Sequence, residues 1–289
     1  EKDRHSFLWL NLMDRKNDGK SLQKIISIWM MKYGKYKKNI WDSSVLSKRI
    51  ISWILNVEII LNNGLFEFKR KFLDSIISQS NHLKKNIKFE KNYSNRIEIL
   101  TALLLSGLVF KEYIENYKIA LKELEKLVKD YFDQDGFPLT RNPSDLIFFS
   151  KYLILCKECI KDAQQYVPEF LETIIDKNLI CIKNILTPND QVPLFNGGTE
   201  EDLNQFNKFI NNLDYKSKDK KNIIGGIQIF KFKNSSIFFD VGKPPDKGFS
   251  NSYQSGPLSF EYYLDGRKII TNCGFGSNIS SKAELLSRL

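Results

Sequence analysis

Apolar residues recur at helical spacing over the first two thirds of the chain and at alternate positions over its last quarter. After Ser43 or Ser44, either of which suits a helix N-cap, Val45, Ile50, Trp53, Ile54 and Val57 mark one helical face, up to the breaker Asn62-Asn63-Gly64. Phe68, Phe72, Ile76 and Leu83 share a face of a second helix over 66–87. Ser94 or Asn95 is expected to open a third that runs through Tyr113. A fourth, over 119–132, carries Leu121, Leu124, Leu127, Val128 and Tyr131. Asp135-Gly136 then breaks the pattern. Pro143 and Pro168 start two more helices, the second reaching Leu186, because the first helical turn does not need the N–H that proline lacks.

The texture changes after Pro188. Residues 188–224 read as loop, with Asn196-Gly197-Gly198 and a KSKDKK run at 216–221. From Gly225-Gly226 onward the period becomes two. Strands are expected over 227–233 and 236–241, joined at Asn234-Ser235, and over 258–264 and 268–272. The last two flank Asp265-Gly266, a hairpin signal because both turn positions need positive φ. Helices first and antiparallel strands second describe a two-domain α+β chain, not an alternating α/β sheet. The boundaries expected are a helical domain over 1–190, a linker over 191–224 and the start of a sheet domain over 225–289.

Composition narrows the class. Hydrophobic residues make up 42% of the 289 positions and charged residues 27%, the balance of a folded chain. No apolar run approaches the roughly 20 residues that span a bilayer. The nearest, 97–110, is interrupted by Glu98, Ser106 and Gly107, so no integral membrane segment is expected. The net charge of +10 favours an anionic partner. Its lysine clusters lie at 32–38, 69–71, 84–91 and 216–221, and each reads equally as a solvated face. None sits in a helix-turn-helix, RNA-recognition or zinc-finger pattern, so nucleic acid is not expected as a partner. Four cysteines make no disulfide framework, and Cys156-x-x-Cys159 falls within a helical stretch rather than at a strand–helix junction. With only His5 and His82 beside them, no metal site and no cofactor is expected. The chain opens at Glu1 without an initiating Met or an apolar signal segment. It is expected to be part of a longer protein, with any targeting sequence outside it.

Five segments, in order, carry a family resemblance: SVLSKRIISWI (44–54), SNRIEILTALLLSGLVF (94–110), DGFPLTRNPSDL (135–146), PLFNGG (193–198) and SGPLSFEYYLDGRKIITNCG (255–274). Together they resemble the bacterial heparinase II/III-like polysaccharide lyases. The resemblance implies an incomplete α/α toroid followed by an antiparallel β-sandwich, an acidic polysaccharide such as a glycosaminoglycan as partner, and a periplasmic or cell-envelope location. The implied reaction is β-elimination at a uronate. One group neutralises the uronate carboxylate, a base removes the C5 proton, and an acid protonates the departing glycosidic oxygen. In the family an Asn or His performs the first task, and a Tyr and a His share the proton transfers.

Carried over by residue, the resemblance puts the family's Asn/His-x-x-Glu element on Asn95 and Glu98, one helical turn apart. Asn95 would neutralise the carboxylate, or else serve as a helix N-cap. The family's Tyr position is held by Asp145, and a histidine just upstream is replaced by Pro138. The sandwich histidine falls on Gln254, which cannot act as a base near neutral pH. Substitutes are available nearby. Arg141 could hold a carboxylate bidentately, with Asn142 beside it in the matched segment. Tyr253 could move a proton, or be an ordinary loop aromatic. Asn95, Arg141, Asn142 and Tyr253 are therefore the candidate catalytic residues; Glu98, Gln254 and Glu261 are the candidate substrate-binding ones. Glu261 reads either as an orienting group or as an exposed strand residue, and His82 as structural. Two functions stay open: a lyase of uronate polymers, and a non-catalytic carbohydrate-binding or surface-polysaccharide-assembly protein that keeps the fold without the Tyr/His pair. A basic helical scaffold for proteins or nucleic acid is the third class.

Overall fold

The computed structural model describes residues 2–13, 19–212, 221–254 and 256–286. Of the KSKDKK run, only Lys221 lies within them. The chain forms two compact units, one of Glu1–Leu127 with Leu155–Tyr166, the other of Val128–Ile154 with Val167–Leu289.

The first unit is helical. It holds α1 (Lys2–Ser6), α2 (Gly19–Tyr33), α3 (Ser43–Leu55), α4 (Val57–Leu61), α5 (Phe66–Asn86), α6 (Tyr93–Val109) and most of α7 (Ile114–Tyr131). Two expected caps are displaced by one to three residues. Asp42, not Ser43 or Ser44, caps α3, its carboxylate accepting from the Ser44 N–H at 3.2 Å. Asn92, not Ser94 or Asn95, caps α6, its side chain accepting from the Asn95 N–H at 3.0 Å. In each case the acceptor stands two or three residues before the N–H it satisfies, as capping geometry requires. The helix expected to continue to Gly64 breaks at Asn56, whose amide donates to the Ser52 carbonyl at 2.8 Å. Likewise α6 ends at Val109, and Lys111–Tyr113 forms a separate 3-10 turn.

Trp53 on α3 anchors this core, fully buried and edge-on to Phe7 and Trp29 with centroids 5.3 and 5.5 Å away. Every residue of α6 from 97 to 107 is buried. That burial includes Gly107, where a Cβ would stand 2.3 Å from the Tyr117 backbone nitrogen of α7. His82 on α5 packs edge-on against Trp41 at 5.3 Å. Cys156 and Cys159 lie one turn apart on α8 (Pro143–Asp162), and neither forms a disulfide. Burial pushes their thiols up to about 12 and about 11, which keeps both protonated and unreactive at neutral pH.

The second unit contains the start of α8, then α9 (Glu169–Ile185), α10 (Asn204–Asn212) and α11 (Ser281–Leu286). Its sheet is antiparallel throughout, in the order β1 (Ile223–Ile224), β2 (Ile227–Lys231), β3 (Ser235–Asp240), β4 (Phe260–Leu264) and β5 (Arg267–Ile270). The two hairpins with Gly at the second turn position behave alike. Gly225-Gly226 (φ 54° and 75°) turns β1 into β2, and Asp265-Gly266 (φ 49° and 74°) turns β4 into β5. The first of these hairpins and helix α10 both fall where the sequence reads as loop. Phe206 is the buried residue that holds α10 in place.

One face of the sheet buries Ile227, Ile229, Phe238 and Tyr263, together with the carboxylates of Asp240 and Glu261. The other face is apolar and more open: Phe230, Ile237, Tyr262 and Ile270 form one cross-strand row, and Phe239 stacks on Phe260 at 5.3 Å. No described helix is long and apolar enough to cross a membrane.

The close approach at Gly107 yields a stability prediction. Gly107→Ala forces α6 and α7 apart and is expected to destabilise the helical unit by about 1–3 kcal/mol. A lowered midpoint of urea unfolding, followed by tryptophan fluorescence, is the readout.

Candidate functional site

Segment 131–146 leaves α7 and enters α8 through two tight turns. At the first, Asp133 accepts from the N–H groups of Asp135 and Phe137 at 2.9 and 2.8 Å, and Gly136 adopts φ 84°. At the second, Arg141 adopts φ 59°, a left-handed conformation that costs a non-glycine residue on the order of 1–2 kcal/mol. The side chain of Arg141 explains why the conformation persists. Its Nε donates to the Gly225 carbonyl at 2.8 Å, Nη1 to Lys243 O at 2.9 Å, and Nη2 to Gly226 O at 3.2 Å and to the Asp240 carboxylate. A Cβ at Gly242 would stand 2.4 Å from Nη2, so glycine is what lets this strand end close over the guanidinium.

Asp240 is only 1% exposed and completes the network. One oxygen pairs with Arg141 and accepts from the Gly242 N–H, and the other accepts from the Asn196 amide at 3.3 Å. The same Asn196 amide donates to the Arg141 carbonyl at 3.2 Å. Glu261, the second buried carboxylate, takes hydrogen bonds from Leu194 N–H (3.2 Å), Thr271 Oγ1 (3.0 Å), Asn272 N–H (3.2 Å) and the Tyr263 hydroxyl (2.8 Å). Burial, and the adjacent Glu261 charge, push the Tyr263 phenol far up, so it stays a donor. Two sheet carboxylates thus hold the Pro193–Gly198 loop, at Leu194 and at Asn196.

That loop presents Gly197 at φ 97°. A Cβ there would lie 2.5 Å from Ser252 Cβ and 3.2 Å from Asn142 Nδ2, so these two residues meet over bare backbone. Asn142 also caps α8, accepting from the Ser144 N–H at 2.9 Å. Gln254 spans the gap between this loop and the segment that follows β5: its Oε1 accepts from the Gly197 N–H at 3.1 Å and its Nε2 donates to Gly274 O at 2.6 Å. Tyr253, half-buried, stands between Ser252 and Gln254. Among the described residues no hydrogen bond engages its hydroxyl.

The second unit therefore brings together Arg141, Asn142, Tyr253, Gln254 and Glu261. Three of these have their polar groups engaged within the protein. Arg141 is a buried cation bonded to Asp240 and three carbonyls. Glu261 is fully buried, not an exposed strand residue, and its carboxylate accepts from backbone and hydroxyl donors. Gln254 has both ends of its amide occupied. Asp145, at the family's Tyr position, is buried and accepts from Tyr131 and Thr140 hydroxyls at 2.9 and 2.7 Å. Asp240, Asn196 and Ser252 complete the cluster and were not singled out in the sequence. A clue to Asp240 was available, since it continues the inward alternation of Ser236 and Phe238 with a charge.

In the first unit, Asn95 is half-buried and donates its amide to Glu90 at 3.1 Å. Glu98, 2% exposed, pairs with Lys48 at 3.2 Å. Both lie on α6, one turn apart as expected. No group of three or more potential metal ligands occurs among the described residues.

Comparison with known proteins agrees with this architecture. Residues 221–288, which hold the sheet, match the family model described as "Heparinase II/III-like, C-terminal". No curated protein matches the chain. Among solved structures, a mutant of the heparan sulfate lyase HepC from Pedobacter heparinus is similar over 98% of this chain and 51% of its own, at 18% identity and a TM-score of 0.74. HepC itself, from the same organism, gives 99% and 50% coverage, 17% identity and a TM-score of 0.70. A structure titled heparinase III gives 93% and 49%, 16% identity and a TM-score of 0.73. The chain spans about half the length of these structures. Residues 221–288 are thus similar to the C-terminal part of the heparinase II/III-like family, and the chain has the fold of these structures, an incomplete α/α toroid followed by an antiparallel β domain.

Two substitutions test the cluster. Arg141→Met strands the Asp240 charge in the interior and is expected to cost about 3–5 kcal/mol of stability. Replacing both, as Arg141→Met with Asp240→Leu, should recover most of that loss in denaturant unfolding. At Asp145, burial holds the carboxyl above its ordinary value, the Thr140 and Tyr131 hydrogen bonds opposing in part. Its stabilising contribution is complete below the unfolded carboxylate pKa of about 3.9 and disappears as pH rises through the elevated folded value. Asp145→Asn should therefore flatten the acid limb of a stability–pH curve, whereas the parent chain loses stability there as pH increases.

Proposed function

We propose that this chain belongs to a polysaccharide lyase that acts by β-elimination on a uronate-containing acidic polysaccharide, within a protein organised as a toroid domain (1–190), a linker (191–224) and a sandwich domain beginning at 225. The observation that carries the reading is convergence. The three matched segments 135–146, 193–198 and 255–274 are hydrogen-bonded to one another, through Asn196 to the Arg141 carbonyl and through the Leu194 N–H to Glu261, although a loop, a helix start and a sheet supply them.

In this reading an asparagine amide, that of Asn142 or alternatively that of Asn95, donates to the substrate carboxylate, which makes the neighbouring C5–H acidic enough to remove. Tyr253 takes that proton and returns one to the glycosidic oxygen as the C–O bond breaks, leaving an unsaturated uronate and a free hydroxyl. Arg141 and Glu261 position backbone. Gln254 supports the substrate-binding loop at Gly197, and Glu98 holds Lys48 in the helical part. A cell-envelope or periplasmic setting, where such polymers are met, goes with this function.

A second reading has its own support. The residues at the family's proton-carrying positions, Asp145 and Gln254, are both tied into internal hydrogen bonds. A carbohydrate-binding or surface-polysaccharide-assembly protein would show this pattern.

One assay separates the two. The full protein carrying this chain is incubated with heparan sulfate, chondroitin, hyaluronan and alginate, and the ultraviolet absorbance of unsaturated uronate is followed. The lyase reading expects product from at least one polymer. It also expects Tyr253→Phe to lower kcat at least about a hundredfold, the usual contribution of a positioned proton carrier. Binding of a polymer without any absorbance change would instead establish the non-catalytic function.

A further inference from the structure

The connection between β3 and β4 leaves the sheet after Asp240, returns at Phe260 and carries Ser252, Tyr253 and Gln254 on the way. Two ties hold it to groups already described. The Arg141 guanidinium donates to the Lys243 carbonyl at 2.9 Å and lies against Gly242, and Gln254 bridges Gly197 and Gly274. Between those ties Asp246, Lys247 and Gly248 are exposed, and Phe249 turns the chain back inward. A connection with no strand ladder of its own is placed by the side chains that pack beneath it.

Phe249 is half-buried, and its ring meets that of Tyr131 edge-on, with centroids 6.0 Å apart. Tyr131 is a firm support. It is buried, its ring stacks on Phe149 of α8 at 4.2 Å, and its hydroxyl donates to the Asp145 carboxylate at 2.9 Å. Asp145, at the position where the family has its Tyr, thus anchors the ring on which the loop rests. Two successive turns link Phe249 to Tyr253: the Phe249 N–H donates to the Asp246 carbonyl at 2.8 Å, and the Tyr253 N–H to the Ser250 carbonyl at 3.1 Å.

Resting on the lyase reading above, in which Tyr253 carries the proton, we propose that Phe249 is its positioning residue. Two ties alone would let the stretch between them swing about the line that joins them. Docked on Tyr131, Phe249 supplies a third and fixes how far Tyr253 reaches toward Gly197 and Asn142. A proton carrier works only within hydrogen-bond reach of the group it serves, and a misplacement of about 1 Å costs on the order of a hundredfold in rate.

The test uses the full protein carrying this chain, in the unsaturated-uronate assay. Phe249→Ala and Phe249→Tyr are made in the parent, and Phe249→Ala also in the Tyr253→Phe background. Thermal melts followed by circular dichroism check that each is folded. The proposal expects Phe249→Ala to lower kcat at least about tenfold with KM within about twofold, and Phe249→Tyr, which keeps the ring, to restore most of the rate. In the Tyr253→Phe background the same Phe249→Ala change should lower kcat less than about twofold, because the group it positions is already gone. Equal losses in the two backgrounds would overturn the proposal, since a merely structural residue acts alike in both. A second readout does not need turnover: in protein labelled with 3-fluorotyrosine, the fluorine resonance missing from Tyr253→Phe should shift in Phe249→Ala. Cleavage with both kcat and that resonance indifferent to Phe249→Ala removes the positioning role and keeps the lyase. No cleavage of any polymer, with the resonance displaced, removes the lyase and keeps Phe249 as the residue that places Tyr253.

Discussion

The second unit is built around one buried ion pair. Arg141 and Asp240 come from parts of the chain about a hundred residues apart, one preceding a helix and one ending a strand. Neither charge could be buried alone, since an uncompensated ion in the interior costs several kcal/mol. Each is therefore wrapped in further partners: backbone carbonyls of the β1–β2 hairpin and of Lys243 for the guanidinium, and Asn196 and Gly242 for the carboxylate. Those partners fix the left-handed turn at Arg141, the hairpin and the Asn196-Gly197-Gly198 loop at once. The positions of Asn142 and Ser252 over Gly197 follow from that arrangement.

Glu261 repeats the same logic a few ångströms of sheet away, without a cation. Four hydrogen-bond donors satisfy its carboxylate, two from backbone and two from hydroxyls. A buried carboxylate with that many donors acts as a fastener for loops that have no regular structure of their own. The contrast with Asp145 is informative. It receives two hydroxyl donors, and burial outweighs them, so its proton is held more tightly than in an exposed aspartate.

Much of the fold was legible because it rests on local rules. Helical periodicity located α3, α5, α6, α7, α8 and α9 to within a few residues, and the Asp-Gly turn located the β4–β5 hairpin. Caps moved to Asp42 and Asn92 because several polar residues competed for each terminus, and only distance to the N–H decides among them. The site was legible in part. The family segments pointed to Arg141, Asn142, Gln254 and Glu261, and the structure joins all four. Their roles were not legible, since whether an arginine faces a ligand or an aspartate depends on a partner far along the chain. Helix α10 escaped notice because four of its nine residues are Asn and it carries a single buried anchor, Phe206.

Gln254 has a consequence for how the loop around Gly197 responds to its surroundings. A histidine there would change charge between about pH 5 and 8 and would exchange an acceptor for a donor as it did so. Glutamine offers one acceptor and one donor at every pH, and here the acceptor faces Gly197 while the donor faces Gly274. The junction is a passive rivet, with the same shape in an acidified compartment as in a neutral one. Any proton sensitivity in this neighbourhood has to enter through other groups.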